Sequence, residues 1–213
     1  MANIFISHSR RDEELITAMV KVLRNIGHNP IVEEFIPEEE KEPIPYEEIR
    51  KNVGVSDFVF LFLTDNVVAT EYTRNWVMFE VSITASAQKR LFVFERAGIP
   101  IPYPIPYLTD YMLFDKDSTS DILDIQALAK KIGEMPKGVI GAGLGALLGL
   151  PFGPLGLILG GLTGGIFGAS ASEQILKVQC PHCGVSFNYY SPHYYEFNCP
   201  SCRKEIHLNL EGE

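Results

Sequence analysis

The chain has 213 residues, which is enough for one domain with a full hydrophobic core and small appendages, but too few for two large domains. Its formal net charge of −9 at pH 7 argues against a surface that binds nucleic-acid phosphates, because such surfaces need clustered Lys and Arg. No long apolar stretch follows Met1, so the sequence predicts no secretory signal and a cytoplasmic N-terminal part.

Short apolar runs alternate with amphipathic stretches over residues 1–136, the first of three predicted domains. Strands are predicted at 3–7, 29–35, 57–63, 91–95 and 111–114, and helices at 12–26, 46–53, 73–89 and 120–132. This alternation predicts a flavodoxin-like α/β fold, a doubly wound sheet of five parallel strands. Ligands of such sheets bind at the carboxyl ends of the strands, near the point where the strand order reverses. The candidate site therefore includes residues 7–11 and the helix that follows the third strand.

Three motifs in this part resemble those of TIR domains. Residues 4–12, IFISHSRRD, resemble the first strand and loop of that family, whose usual form is F-I-S-[YH]-S-x-x-D. Residues 56–64, SDFVFLFLT, resemble its central strand, and residues 76–80, WVMFE, resemble the W-x-x-x-E motif of the following helix. The resemblance covers about residues 3–134. For the enzymatic branch of the family it implies cleavage of NAD+ to nicotinamide and ADP-ribose or cyclic ADP-ribose, with Glu80 as the catalytic acid.

The chemistry of these residues agrees with that implication. Trp76 and Glu80 lie four residues apart, so a helix places them on one face, where the indole can stack on a flat heterocycle beside the carboxylate. A carboxylate near the ribose stabilises the oxocarbenium-like charge that develops when an N-glycosidic bond breaks. Ser7, His8 and Arg10 follow the first strand and are candidate contacts for the ribose or the diphosphate of NAD+. The alternatives are a Glu80 paired with a neighbouring cation and an ordinary, half-buried His8.

Residues 137–172 form the second predicted domain, an apolar segment with no charged side chain from residue 138 onward. Pro151 and Pro154 favour a turn in its middle, so we predict a Gly-rich helical hairpin. Glycines recur at intervals of four on each side of that turn, and such stripes let helices approach closely, as in glycine-zipper segments of membrane proteins. We therefore predict association with the membrane and with other copies of the chain, the alternative being a soluble hairpin buried in a homo-oligomer. The two series are Gly141, Gly145, Gly149 and Gly153, then Gly156, Gly160, Gly164 and Gly168.

Residues 173–213 carry all four cysteines, as the pairs Cys180-x-x-Cys183 and Cys199-x-x-Cys202 with 15 residues between them. This spacing predicts a zinc ribbon in which four thiolates bind a structural zinc ion and leave no open position. Redox-active thiols or another thiophilic metal are the alternatives. Six aromatic residues lie between the pairs, and the few cations beside them favour a protein-contact surface over a nucleic-acid reader. They are Phe187, Tyr189, Tyr190, Tyr194, Tyr195 and Phe197.

Two functions follow from these features. The first is an NAD+ glycohydrolase that is associated with the membrane through residues 138–172 and activated by oligomerisation, for which the resemblance implies a role in antiviral defence. The second is a non-enzymatic TIR scaffold, which assembles with itself or with other TIR-containing proteins while the glycine-zipper segment permeabilises membrane. They differ in whether the protein consumes NAD+ and loses that activity when Glu80 is replaced.

Overall fold

The computed structural model describes residues 1–32, 46–69, 71–99, 101–134, 175–191 and 193–208. The strands are β1 Asn3–Ser7, β2 Asn29–Val32, β3 Phe58–Leu63, β4 Arg90–Arg96, β5 Asp110–Phe114, β6 Leu176–Gln179, β7 Ser186–Tyr189, β8 Glu196–Asn198 and β9 Glu205–His207. The helices are α1 Glu13–Asn25, α2 Tyr46–Val55, α3 Asp65–Val68, α4 Glu71–Ser86 and α5 Thr119–Glu134, with a 3₁₀ turn at Arg10–Asp12. The glycine-zipper prediction and the domain boundaries near residues 137 and 172 lie outside the described residues.

Within the part of the chain that the structure describes, the central sheet has seven strands in the order β2-β1-β3-β4-β5-β7-β6. The first five are all parallel, which confirms the flavodoxin-like, doubly wound α/β prediction. The chain runs from β1 outward to β2 and then crosses back to β3, so the strand order reverses at β1. The carboxyl ends of β1 and β3 are therefore the place where such a fold holds its ligand.

The sheet is covered on both faces, which explains its continuously apolar central strand. All six residues of β3 are buried, and alternate side chains enter the two hydrophobic cores. Phe60 belongs to the core beneath α1 and α5, together with Phe92 and Phe94 of β4. Leu61 belongs to the opposite core, which also receives Val77 from α4. The position of α4 on this second face brings its side chains to the carboxyl end of the sheet.

Two strands that the sequence assigned to the zinc ribbon extend the parallel sheet. Strand β7 pairs with β5 in parallel, and β6 pairs with β7 in the antiparallel direction. The ribbon aromatics contribute to this union, since Tyr111 of β5 stacks on Tyr189 at a ring-centroid distance of 5.9 Å, and Tyr189 stacks on Phe197 at 4.4 Å. Both ribbon rings are buried, as is Phe187. The expectation that the six aromatics form a contact surface for another protein is therefore wrong for these three, which pack within the chain.

Candidate functional site

The motif at the carboxyl end of β1 and the W-x-x-x-E motif of α4 meet in one hydrogen bond. Ser7 is the last residue of β1, and its hydroxyl donates to Oε2 of Glu80 on α4, 73 positions along the chain. Both side chains are buried, each with 2% of its surface exposed. A hydroxyl donor stabilises the charged form of a carboxylate and fixes its orientation. The structure thus places the Glu80 carboxylate at the point where the strand order reverses.

The loop after β1 is held against the end of β3 by Asp12. The Asp12 carboxylate accepts hydrogen bonds from Thr64 Oγ1 and Asn66 Nδ2, both at 2.6 Å. Thr64 follows β3 directly, and Asn66 lies in the short helix α3. These two partners were not predicted from the sequence, although the Thr that closes the central-strand motif was a signal for one of them. The bonds set the distance between residues 7–12 and the end of the neighbouring strand.

His8 lies in this loop with its ring turned inward. The Nδ1 atom is 3.3 Å from the carbonyl oxygen of Ile6, and the side chain is buried. Burial lowers the pKa of His8 from its usual value, against the smaller opposing effects of the Ile6 carbonyl and the Asp12 charge. Because a lowered pKa favours the neutral ring, His8 is an uncharged imidazole at neutral pH. Arg10, two residues further on, is exposed.

Trp76 lies one helical turn before Glu80 on α4, as the i,i+4 spacing requires, and is partly buried. Its indole packs against the ring of Tyr46 at a centroid distance of 5.3 Å and against the edge of Phe79 at 5.6 Å. Tyr46 is the first residue of α2 and is itself exposed. A flat ligand that stacks on Trp76 would meet Tyr46 beside it, a neighbour that was not anticipated from the sequence.

The four cysteines converge on one point. Their Sγ atoms all lie within 4.8 Å of one another, with 3.7 Å between Cys180 and Cys202 and 3.9 Å between Cys183 and Cys199. Four sulfurs in a tetrahedron with zinc–sulfur bonds of about 2.3 Å are separated by roughly 3.8 Å. The cluster can therefore bind a metal ion of this class.

Backbone turns shape each half of this cluster. The amide of Gly184 donates to the Cys180 carbonyl at 2.9 Å, and the amide of Arg203 donates to the Cys199 carbonyl at 2.8 Å. Gly184 and Arg203 both have positive φ, 75° and 60°, so the two knuckles turn back in the same way. Glycine adopts this conformation without strain. At the second knuckle the same conformation is adopted by Arg203, whose side chain makes further contacts.

No protein-family model matches the chain, and a comparison with curated proteins found no match. Among solved structures, the CMP N-glycosidase BcmB of Clostridium botulinum matches with a TM-score of 0.41 and 10% sequence identity. The match covers 59% of this chain and 98% of that one. Among the described residues, no helix is both long enough and apolar enough to cross a membrane.

Proposed function

We propose that the protein cleaves the N-glycosidic bond of NAD+, releasing nicotinamide and forming ADP-ribose or cyclic ADP-ribose. The observation that carries this proposal is the hydrogen bond from Ser7 to Glu80, which joins the TIR-like motif at the carboxyl end of β1 to the W-x-x-x-E motif of α4. The bond fixes a carboxylate where a doubly wound sheet binds its ligand. Glu80 is the proposed catalytic residue, and Ser7 is its positioning partner.

The proposed reaction breaks the bond between the ribose C1′ and the pyridinium nitrogen, and the electron pair leaves with nicotinamide. The ribose then carries oxocarbenium-like positive charge, which a carboxylate beside the sugar stabilises. Water adds to C1′ and releases a proton, or a nitrogen of the adenine attacks instead and gives the cyclic product. Trp76 would stack on a flat ring of the substrate, while His8 and Arg10 would contact the ribose or the diphosphate.

Burial of Glu80 has a consequence for how the proposed activity is controlled. Only 2% of its surface is exposed, so a ribose reaches the carboxylate only after neighbouring groups move. The ring of Tyr46, which packs on Trp76, is one group that a stacked substrate would displace. We propose that assembly of several copies supplies this rearrangement, so that NAD+ cleavage rises more steeply than linearly with protein concentration.

The deciding experiment is nicotinamide release by wild type and Glu80→Gln at high protein concentration, with lipid present. The amide keeps the shape of the side chain but removes its charge, so we expect kcat to fall about a hundredfold or more. Glu71→Gln is the matched control, because Glu71 lies on the same helix but is exposed. This control should retain the wild-type rate, and thermal unfolding of both variants checks that the fold is kept.

Equal rates for wild type and Glu80→Gln would remove Glu80 from the mechanism. No release by either protein, once sedimentation shows that they are assembled, would favour the non-enzymatic scaffold. That second candidate has its own supporting observation, since Glu80 is buried and Trp76 packs against Tyr46 and Phe79, as in a structural helix face. The scaffold should then release dye from lipid vesicles through the glycine-zipper segment without consuming NAD+.

We propose that the four-cysteine cluster binds one structural zinc ion. The support is the near-tetrahedral sulfur spacing, with four protein thiolates that leave no position for substrate or water. Elemental analysis should find about one zinc per chain in protein expressed with zinc available. Cys180→Ser combined with Cys183→Ser should abolish zinc binding, and zinc that is undiminished in this variant would contradict the assignment.

A further inference from the structure

The second cysteine knuckle is docked on the carboxyl end of β4. Arg203 follows Cys202 directly, and its Nη1 donates to both carboxylate oxygens of Glu95, at 2.9 and 2.8 Å. Its Nε also donates to the carbonyl oxygen of Tyr103 at 2.8 Å. Glu95 is the penultimate residue of β4, so one side chain connects the metal cluster to this strand and to the loop after it.

The contact between Arg203 and Glu95 is buried, so it stabilises the fold only when both side chains are held in the right geometry. The Arg203 and Glu95 side chains are 14% and 5% exposed. Charges removed from water in this way contribute favourably only when their geometry is held, and removal of one partner is costly. The backbone makes a second tie in the same place, since the amide of the buried Ile105 donates to the carbonyl of Pro200 in the knuckle, at 2.9 Å.

From this loop the contacts continue to the helix of the candidate site. The guanidinium of Arg74 lies over the ring of Tyr103, 5.8 Å from its centroid. Arg74 is on α4, two residues before Trp76 and six before Glu80. Buried side chains of the ribbon, Cys180 and Cys199 among them, belong to the same hydrophobic core as Val77 of α4. The metal cluster and the site helix are therefore parts of one packed unit.

We infer that a thiophilic divalent cation at the four cysteines is a structural cofactor of the α/β domain, because it holds the loop between β4 and β5 against the sheet. Each knuckle is a short turn, and strands β8 and β9 have only three residues each, too few to stay ordered alone. Without the cation the second knuckle loses its turn. Arg203 and Pro200 then leave Glu95 and Ile105, and the loop is released beside α4, whose Arg74 contacts Tyr103 of the loop.

The test is amide hydrogen exchange of the full chain, resolved by residue, before and after zinc is extracted with a high-affinity chelator and quantified. The Ile105 amide should exchange at least about tenfold faster after extraction, because its acceptor is in the knuckle. The amides of Ala97 and Thr109 are internal references, since their acceptors are Phe114 and Leu91 within the sheet. Unchanged exchange at Ile105 after complete zinc release would overturn the inference, as would equal acceleration at all three positions.

A variant that keeps the metal separates the role of Arg203 from that of the cysteines. Arg203→Asn suits the positive φ of this position, so the knuckle should still bind about one zinc per chain. Its Ile105 amide should nevertheless exchange severalfold faster than in wild type. Lys204→Asn, at the exposed neighbouring position, is the matched control and should behave as wild type. Identical Ile105 exchange in the two variants would show that Arg203 does not hold the loop. None of these readouts requires NAD+ cleavage, so the outcome is independent of the proposed activity.

Discussion

At the residue scale, two adjacent polar side chains at the end of β1, Ser7 and His8, have different environments. Ser7 donates a hydrogen bond to Glu80, which fixes the orientation of that carboxylate. His8 is buried beside the backbone and has a lowered pKa, so it is neutral at neutral pH. A neutral imidazole can contact a ribose hydroxyl as donor or acceptor, but it does not supply positive charge for a diphosphate. Of the three predicted contacts after β1, only Arg10 carries that charge.

The lowered pKa of His8 makes stability depend on pH. Below the usual value of 6.5 the unfolded chain binds a proton that the folded chain does not, so the free energy of unfolding falls as pH drops. One such group contributes a slope of at most about 1.4 kcal/mol per pH unit. His8→Tyr, the other residue usual at this motif position, should lose less stability between about pH 7 and pH 5 in urea denaturation. Equal losses in the two proteins would contradict the burial of His8.

The local sequence predicted that Ser7 ends a strand and that Glu80 lies on a helix, as the structure shows, but it did not predict the interactions around them. Their motifs are runs of adjacent residues whose strand and helix character can be read directly. The bonds from Thr64 and Asn66 to Asp12, and the packing of Tyr46 on Trp76, depend on how separate elements meet in space. The residue pattern within one element does not indicate which side chains of other elements it will contact. The same reason kept the docking of Arg203 on Glu95 out of the sequence prediction.

At the element scale, the unpredicted feature is the seam where β7 joins β5. Asp110 begins β5 and has no exposed surface. Its carboxylate accepts from Arg90 Nη2 at 2.5 Å, from Asn188 Nδ2 at 2.9 Å and from Tyr190 OH at 2.7 Å. Asn188 follows Asp110 by 78 positions. Strand β7 is short and of mixed polarity, so its sequence predicts only a strand of a self-contained ribbon hairpin. Only in the folded chain does β7 meet the edge of the parallel sheet that β5 forms.

Removal of the charge at Asp110 should weaken this seam strongly. Asp110→Asn leaves the buried Arg90 guanidinium without the carboxylate that compensates it, a change that costs about 3–5 kcal/mol in comparable buried pairs. Asp117→Asn is the control, since that carboxylate is 72% exposed and lies 3.9 Å from Arg96. Chemical denaturation should place the control within about 0.5 kcal/mol of wild type. A similarly small change for Asp110→Asn would mean that the seam does not depend on this ion pair.

At the scale of the whole molecule, the described contacts connect the ribbon to the α/β domain without the glycine-rich segment. Strand β7 pairs with β5, Ser191 Oγ donates to the Leu113 carbonyl at 2.8 Å, and Tyr194 OH donates to Asp121 at 3.0 Å. The parts of the chain before and after residues 138–172 thus belong to one folded unit. The predicted self-association and membrane binding of residues 138–172 can therefore be tested by replacing them, without removing any of the described contacts.

Replacement of residues 138–172 by a Gly/Ser linker of equal length tests this separation. The variant should bind about one zinc per chain and unfold at the wild-type temperature, because the described contacts are kept. It should remain monomeric and stay in solution during vesicle flotation, whereas wild type should float with the vesicles.

The point substitutions Gly145→Leu and Gly160→Leu should also weaken self-association, since a large side chain separates helices that pack through glycine. Wild-type oligomers that do not float would favour the soluble hairpin, and a monodisperse wild-type monomer in detergent-free buffer would contradict both readings of the segment. If cleavage of NAD+ depends on assembly, the linker variant should also lose the steep dependence of its rate on protein concentration while Ser7 and Glu80 stay in place.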